Sequence, residues 1–417
     1  MYAFRKPFAA SAYGGGDVTV FGCLIGYKTL LVNAQVIGYT VSKFLGIKFI
    51  AELTPQRRIA SMVLLIAIAE AALLLFAVVP APYNAVCLFV NGLPLGMVFG
   101  IVLAFLEGRR VTDLMMATLC ASFILADGAA KSLGAALLAW GVPDTWMPCV
   151  AGLIASVPMA VFIGMLTRIR PPSAADVAQR SKRLSMSAHD RWRFFLNYAL
   201  GLSALLTMYM LITVLRSIRS DYAAEIWSGL LGKQVKTPPA VFTTSETFVA
   251  LAVMVANGLC FLIRDSRKAF YTALSIGAFG TLLIGLSVAG LRAGALNGFV
   301  FMVLTGIGLY LPYVAIHTTI FERLIAITRD RGNLGYLMYL ADAFGYLGYP
   351  IFMFLIRFVV AKPDFLRLFC TTSLCMGLAS LACILVAGLY FRGLQPRAAS
   401  EIVVPAIAAV PSEEFAN

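Results

Sequence analysis

Apolar residues in this chain arrive in blocks of about 20, separated by short polar stretches, and that rhythm sets the fold class. A helix of about 20 residues crosses a hydrocarbon core roughly 30 Å thick. The run Met62 to Val79, MVLLIAIAEAALLLFAVV, is representative. It has none of the apolar–polar alternation that the strands of a membrane barrel require. Each block must therefore satisfy its own backbone hydrogen bonds as a helix. The pattern predicts eleven spanning helices, at 28–50, 59–79, 83–106, 114–140, 146–167, 194–216, 241–263, 269–291, 296–321, 334–360 and 365–391. The opening MYAFRKPFAASAY reads as the second half of a twelfth, too short to span, running into the loop Gly14-Gly15-Gly16. Arg5 stands where the middle of that helix should be, so the reading frame is expected to begin upstream, with about 10–20 further apolar residues preceded by a short cytoplasmic stretch.

Composition agrees with an all-α integral membrane protein: 60% of residues are hydrophobic and 13% charged, against about 25% charged in a soluble domain. The net charge of +13 changes the picture only through its placement. Most Lys and Arg lie in alternate connections: Lys48 to Arg58, Arg109 and Arg110, Arg168 to Arg193, Arg264 to Lys268, Arg323 to Arg331, and the tail. By the positive-inside rule these connections are cytoplasmic. The expectation is a multi-pass protein of a bacterial cytoplasmic (inner) membrane, monomeric, with lipid and not nucleic acid as its surroundings. The eight cysteines are scattered, and His317 and His189 have no second ligand at metal spacing. No metal and no cofactor are expected. The basic stretch Arg168 to Arg193 divides the chain into an N-terminal bundle (1–167), a cytoplasmic linker (168–193), a C-terminal bundle (194–391) and a tail (392–417).

The two halves repeat. Leu125-Ala126-Asp127 recurs as Leu340-Ala341-Asp342, and Glu107 as Glu322, each 215 residues on. Nearer the start of each half the offset is about 211, taking Arg5 to Arg216 (211 on) and Arg57-Arg58 to Arg267-Lys268 (210 on). These matches, in order along the chain, argue for a duplicated six-helix unit. Two parallel repeats about an axis along the membrane normal describe the major facilitator architecture, whose solute site lies at the midplane between the halves.

Five basic residues fall in or beside apolar helices: Arg5, Lys6, Lys43, Lys131 and Arg216. Their acidic companions are Asp127, Asp342 and Glu246, with Asp221 just beyond Arg216. A charge at mid-bilayer costs several kcal/mol unless it faces a partner or water. The excess of bases predicts a positive cavity for a small organic anion, with Arg forks and Lys point charges as its donors. Glu70 is read as a hydrogen-bonding group toward a neighbouring helix, and Tyr336, Tyr339, Tyr346 and Tyr349 as a packing face.

Three segments carry a resemblance: Tyr2-x-x-Arg5-Lys6-x-Phe8-Ala9, Gly38-Tyr39-x-x-Ser42-Lys43-Phe44 and Glu52-x-x-Pro55-x-Arg57. Together they resemble the first two helices of the organophosphate:phosphate antiporters of the major facilitator superfamily. The resemblance implies exchange of a phosphate ester for phosphate by alternating access. It implies that Arg5 and Arg216 grip the phosphate, that Lys43 assists, and that Lys6 pairs with Asp221 and Glu246. Lys131 stands where that family has a His, and Asn91-Gly-Leu-Pro-Leu-Gly96 departs from its pattern. The superfamily also places an acid–base gate at the cytoplasmic helix ends, here Glu52 with Arg57, Glu107 with Arg109, and Glu322 with Arg323. The alternatives are a transporter-like receptor for the same ligand and a proton-coupled transporter of another solute. No H-E-x-x-H, paired-carboxylate helix or Ser/Lys dyad supports an enzyme.

Overall fold

The computed structural model describes residues 1–14, 16–20, 23–106, 112–169, 188–232, 237–328, 334–359 and 364–393. Each of the eleven predicted segments is helical. In the first half they are α1 (Tyr27–Glu52), α2 (Arg58–Val78), α3 (Ala85–Leu106), α4 (Thr112–Ala139) and α5 (Met147–Thr167). In the second half a short helix α6 (Ala188–Asn197) leads into α7 (Ala199–Asp221), followed by the short α8 (Ala223–Leu231). Then come α9 (Ala240–Phe261), α10 (Ser266–Arg292) and α11 (Gly298–Ala315). A π-helical turn (Ile316–Ile320) joins α11 to α12 (Phe321–Thr328), and α13 (Leu334–Val359) and α14 (Phe365–Gly393) close the fold. Among the described residues, ten helical stretches are long and apolar enough to cross a membrane. To these α1 adds 26 residues that carry three lysines.

The N-terminal segment departs from the expected half-helix. Residues Tyr2–Phe4 and Pro7–Ala10 form two 3₁₀ turns. Pro7 causes the break: it has no N–H to continue a helix, although Lys6 before it keeps right-handed helical geometry. Pro7 is tolerated at the first position of the second turn, where no donor is needed. Gly16, at φ 75°, occupies the left-handed region that suits glycine. From there the chain enters an unanticipated hairpin, with β1 (Asp17–Val20) antiparallel to β2 (Cys23–Gly26) and Asp17 opposite Gly26.

Helix contacts in lipid lack a hydrophobic drive and rely on small residues that let backbones approach. This accounts for the unusual α3 motif. Gly92 lies against the Gln35 carbonyl and Gly96 against the Ser42 side chain, while Gly38 of α1 lies against the Phe89 carbonyl. A spacing of four puts Gly92 and Gly96 on one face of α3. Gly280 and Gly308 do the same between α10 and α11.

Within the first half α3 packs on α1 and α2, and α5 on α2 and α4. Within the second, α7 packs on α11, α13 and α14, and α10 on α11 and α14. The halves meet along two helix pairs, α1 with α13 and α4 with α9. Between them lie the 3₁₀ turns of the N-terminus, against α2, α4 and α5 on one side and α7 and α8 on the other. Leu64, Val157, Phe162, Leu286 and Leu389 are among the many large apolar side chains that face outward, as lipid contact demands. The fold is an all-α membrane protein of two pseudo-symmetric bundles, with two 3₁₀ turns where residues 1–13 were expected to form a half-helix.

The close α1–α3 approach is testable. A Cβ at Gly38 overlaps the Phe89 backbone, whereas one at Gly258 meets open space. Gly38→Val is expected to cost about 1–3 kcal/mol through overpacking, and Gly258→Ala close to nothing. Thermal unfolding of detergent-purified protein checks this. Equal melting temperatures for the two variants contradict the packing argument.

Candidate functional site

A 3₁₀ segment inside a membrane leaves carbonyls that no helix satisfies, and buried side chains supply the missing donors. Asn91 donates from Nδ2 to the carbonyls of Phe4 (3.1 Å) and Ala69 (3.0 Å) and accepts from Gln35 Nε2 at 2.8 Å. Lys28 Nζ donates to the Ala9 carbonyl at 3.0 Å. The turns are thereby fixed between the bundles, with Arg5 and Lys6 buried at their junction.

Charges are paired across this layer with two exceptions. Lys6 binds Asp221 and lies 4.0 Å from Asp127. Lys131, one helical turn from Asp127 on α4, reaches its other oxygen at 2.5 Å, and Ser220 Oγ donates to the same carboxylate at 2.9 Å. Lys28 pairs with Glu225 at 2.5 Å, Lys43 with Asp342 at 3.2 Å, and Arg219 with Glu246 at 2.6 Å. Arg219 also donates to the Met302 carbonyl at 2.9 Å. Seven buried bases thus face five acids. The two bases left over are Arg5 and Arg216.

Neither of these guanidiniums has an ion pair or hydrogen bond among the described residues, and the Nε of each is buried without a partner. Both stand over tyrosines. Arg5 Cζ is 4.0 Å from the Tyr39 ring centroid and 6.0 Å from that of Tyr346. Arg216 Cζ is 4.5 Å from Tyr313 and 6.0 Å from Tyr310. Tyr2 and Tyr346 lie within electrostatic reach of both arginines. A cation–π contact contributes about 0.5–2 kcal/mol, short of the several kcal/mol that burying each ion costs. The arrangement is a tyrosine-walled site with two positive charges that have no direct ion pair, Asp221 acting on Arg5 only at a distance, and with unused Nε–H donors.

The expected binding residues are distributed unevenly around it. Arg5 and Arg216 share the layer, and Lys6 meets Asp221 as the resemblance implies. Glu246 does not meet Lys6: Arg219, one turn beyond Arg216 on α7, reaches it first. Lys131 is 1% exposed and bound to Asp127, so it presents no free charge. Lys43 borders the site, 5.3 Å from the Tyr39 ring centroid and 4.9 Å from that of Phe99, while holding Asp342. Glu70 accepts from Cys149 Sγ of α5 at 3.4 Å, the interhelical role expected of it. The sequence reading passed over Lys28, Arg219 and Glu225. All three sit near helix ends, where a charge ordinarily marks the membrane boundary.

Three polar contacts tie the bundles together where α1 begins and α7 ends: Lys6–Asp221, Lys28–Glu225, and Tyr222 Oη donating to Thr29 Oγ1 at 3.0 Å. At the opposite end, Arg57 is exposed in the turn Pro55–Arg57. Glu322 opens α12, and Arg323 Nη1 reaches Ser266 Oγ at 3.4 Å. The Glu52 side chain, Glu107, Arg109 and Arg110 lie outside the described residues.

The chain belongs to the family of unknown function DUF5690, whose profile matches residues 7–393. No curated protein matches the sequence. Among solved structures it is similar to a bacterial homologue of the human drug peptide transporters PepT1 and PepT2, at 14% identity and a TM-score of 0.56. That match covers 94% of this chain and 95% of the other. The fold is of the major facilitator type.

The unequal pairing of the bases predicts opposite effects on ligand-free stability. Glu246→Ala strands Arg219, which is 2% exposed, and is expected to cost about 3–5 kcal/mol. Arg5→Ala removes a charge that had no partner and is expected to leave the melting temperature unchanged or raise it. A loss of stability in Arg5→Ala as large as in Glu246→Ala shows that Arg5 is already compensated.

Proposed function

We propose that this protein is a secondary transporter of a small phosphate-bearing anion, bound between Arg5 and Arg216. The observation that carries the reading is the pair of buried guanidiniums without counter-charge, one from each bundle. A phosphate monoester near neutral pH carries about two negative charges and three acceptor oxygens. That matches two planar donor forks and their net charge. Inorganic phosphate presents the same phosphoryl group, so an exchange of ester against phosphate uses one site for both.

A zwitterionic peptide is the natural rival, given the solved structure above. Its carboxylate suits either arginine, but its ammonium group needs a free acid. Asp127, Asp221, Glu225, Glu246 and Asp342 are each engaged by a base. The tyrosine walls remain suitable for an organic moiety of moderate polarity.

The mechanism follows from where the two arginines are rooted. Arg5 belongs to the first bundle and Arg216 to the second, so a dianion held by both favours the state in which the bundles close around it. That differential affinity is what allows binding to bias rocking. With the basic connections placed in the cytoplasm, the three contacts at the start of α1 hold the outer side shut. The reserved gate groups Glu52, Arg57, Glu107, Arg109, Glu322 and Arg323 then lie on the cytoplasmic side. Each exposed pair among them is worth only about 0–1 kcal/mol, so they act as a sum.

The test is binding and counterflow in proteoliposomes with glycerol 3-phosphate and inorganic phosphate. Arg5→Lys and Arg216→Lys keep the charge but lose the fork, and each is expected to weaken binding about 10- to 150-fold, or roughly 1.5–3 kcal/mol. Arg292→Ala, on an exposed turn at the end of α10, should bind as wild type does. Wild-type affinity in both Arg→Lys variants removes the phosphate reading. Binding without counterflow leaves a sensor in place of a transporter.

A further inference from the structure

Beside the anion site, α11 gives way to the one π-helical turn among the described elements, Ile316–Ile320. Such turns cost regular hydrogen bonding and concentrate at functional positions. This one carries His317, which was set aside in the sequence for lack of metal partners. The structure gives it different partners. Its Nδ1 lies 3.1 Å from the Tyr313 carbonyl, its Nε2 3.4 Å from Asp342 Oδ1, and Tyr209 Oη lies 3.5 Å from the same Nε2.

The hydrogen positions follow from what each neighbour can offer. The Tyr313 carbonyl only accepts, so Nδ1 carries a proton toward it. The single proton of Tyr209 goes to Asp342 Oδ1, at 2.7 Å. In a neutral imidazole Nε2 is then a bare lone pair facing a carboxylate and a phenol oxygen, with no donor for it among the described residues. A second proton, on Nε2, converts that repulsion into a charge-assisted bond to Asp342.

Asp342 is also the group that joins the bundles here. Its Oδ2 accepts from Lys43 of α1, across the α1–α13 contact. The cluster touches the anion site through Tyr313, which lies under Arg216 at 4.5 Å and beside His317 with ring centroids 5.0 Å apart. The groups facing the imidazole are Tyr209 from α7, Tyr313 from α11, Asp342 from α13 and, through that carboxylate, Lys43 from α1. Cys120 of α4 lies within electrostatic reach of Asp342. From α10, which also packs on the turn, no hydrogen bond or ion pair reaches the ring among the described residues.

We propose that His317 and Asp342 form a proton-binding site in which Nε2 takes a proton from water and draws Asp342 away from Lys43. Proton binding thereby loosens the α1–α13 tie and couples the protonation state to movement of the bundles. Imidazole is the side chain whose unperturbed charge change falls between about pH 5 and 8, which suits it to taking up and releasing a proton. The device extends the transport reading by coupling anion movement to protons, but the proton site itself stands without any ligand.

Two measurements test it. The chain has two histidines, and His189 is exposed on α6, so His189→Gln leaves His317 alone. Nitrogen NMR of that variant, labelled at histidine and without ligand, is expected to show the added proton entering at Nε2 as the pH falls from 8 to 5. Asp342→Asn should move that titration to lower pH. Tyr209→Phe, which keeps the carboxylate but removes a competing donor, should move it the other way. In proteoliposomes holding a pH-sensitive dye, glycerol 3-phosphate should drive proton movement in wild type and not in His317→Gln. Titration at Nε2 without any phosphate binding supports the proton site and removes the anion reading instead. Protonation at Nδ1, no titration between pH 5 and 8, or unchanged proton movement in His317→Gln overturns the proposal.

Discussion

A buried cation without a counter-charge is the constraint around which this molecule is arranged. Water gives way to a medium in which an unpaired ion costs several kcal/mol, so the interior of the two bundles pairs nearly every charge it holds. Lys6, Lys28, Lys43, Lys131 and Arg219 each find an acid. Three of those pairs join one bundle to the other, so the same interactions that neutralise charge also hold the halves in register. Against that background Arg5 and Arg216 stand out by what they lack. Their energetic deficit in the absence of ligand is the source of the affinity proposed for a dianion.

The N-terminal turns are what make the deficit possible. A continuous helix satisfies its own backbone and needs little from its neighbours. Two 3₁₀ turns around Pro7 instead require Asn91 and Lys28 to supply donors. These anchors come from α3 and α1, which the glycine contacts lock together. The position of Arg5 is therefore set by the packing of α1 on α3.

The spans were legible from the sequence because a 20-residue apolar block in lipid has one structural outcome. The interior bases were legible for the same reason, since a charge in such a block is conspicuous. The partners were less so. Glu246 was expected to meet Lys6, yet α7 presents Arg219 one turn beyond Arg216 and takes it. Residue types do not reveal which of two bases a carboxylate faces across a helix interface. Lys28 and Glu225 were hidden by their position at helix ends. His317 was hidden because its significance lies in a π-turn and in the direction of two ring nitrogens, neither of which leaves a spacing in the chain. Pro7 did carry a readable signal against a helical N-terminus, one that the apolar pattern of residues 1–13 does not register.

The central claim is that the site is built for two negative charges on one phosphoryl group. The most direct measurement compares thermal stabilisation of the ligand-free protein by a phosphate monoester and by a diester of the same alcohol. A ligand that binds only the folded protein raises stability by RT ln(1 + [L]/Kd), so the shift reports affinity. A substantial rise with the dianionic monoester, little with the monoanionic diester, and none with either ligand in the Arg5→Ala/Arg216→Ala double variant is the result expected. Equal stabilisation by both esters, or stabilisation that survives loss of both arginines, contradicts it.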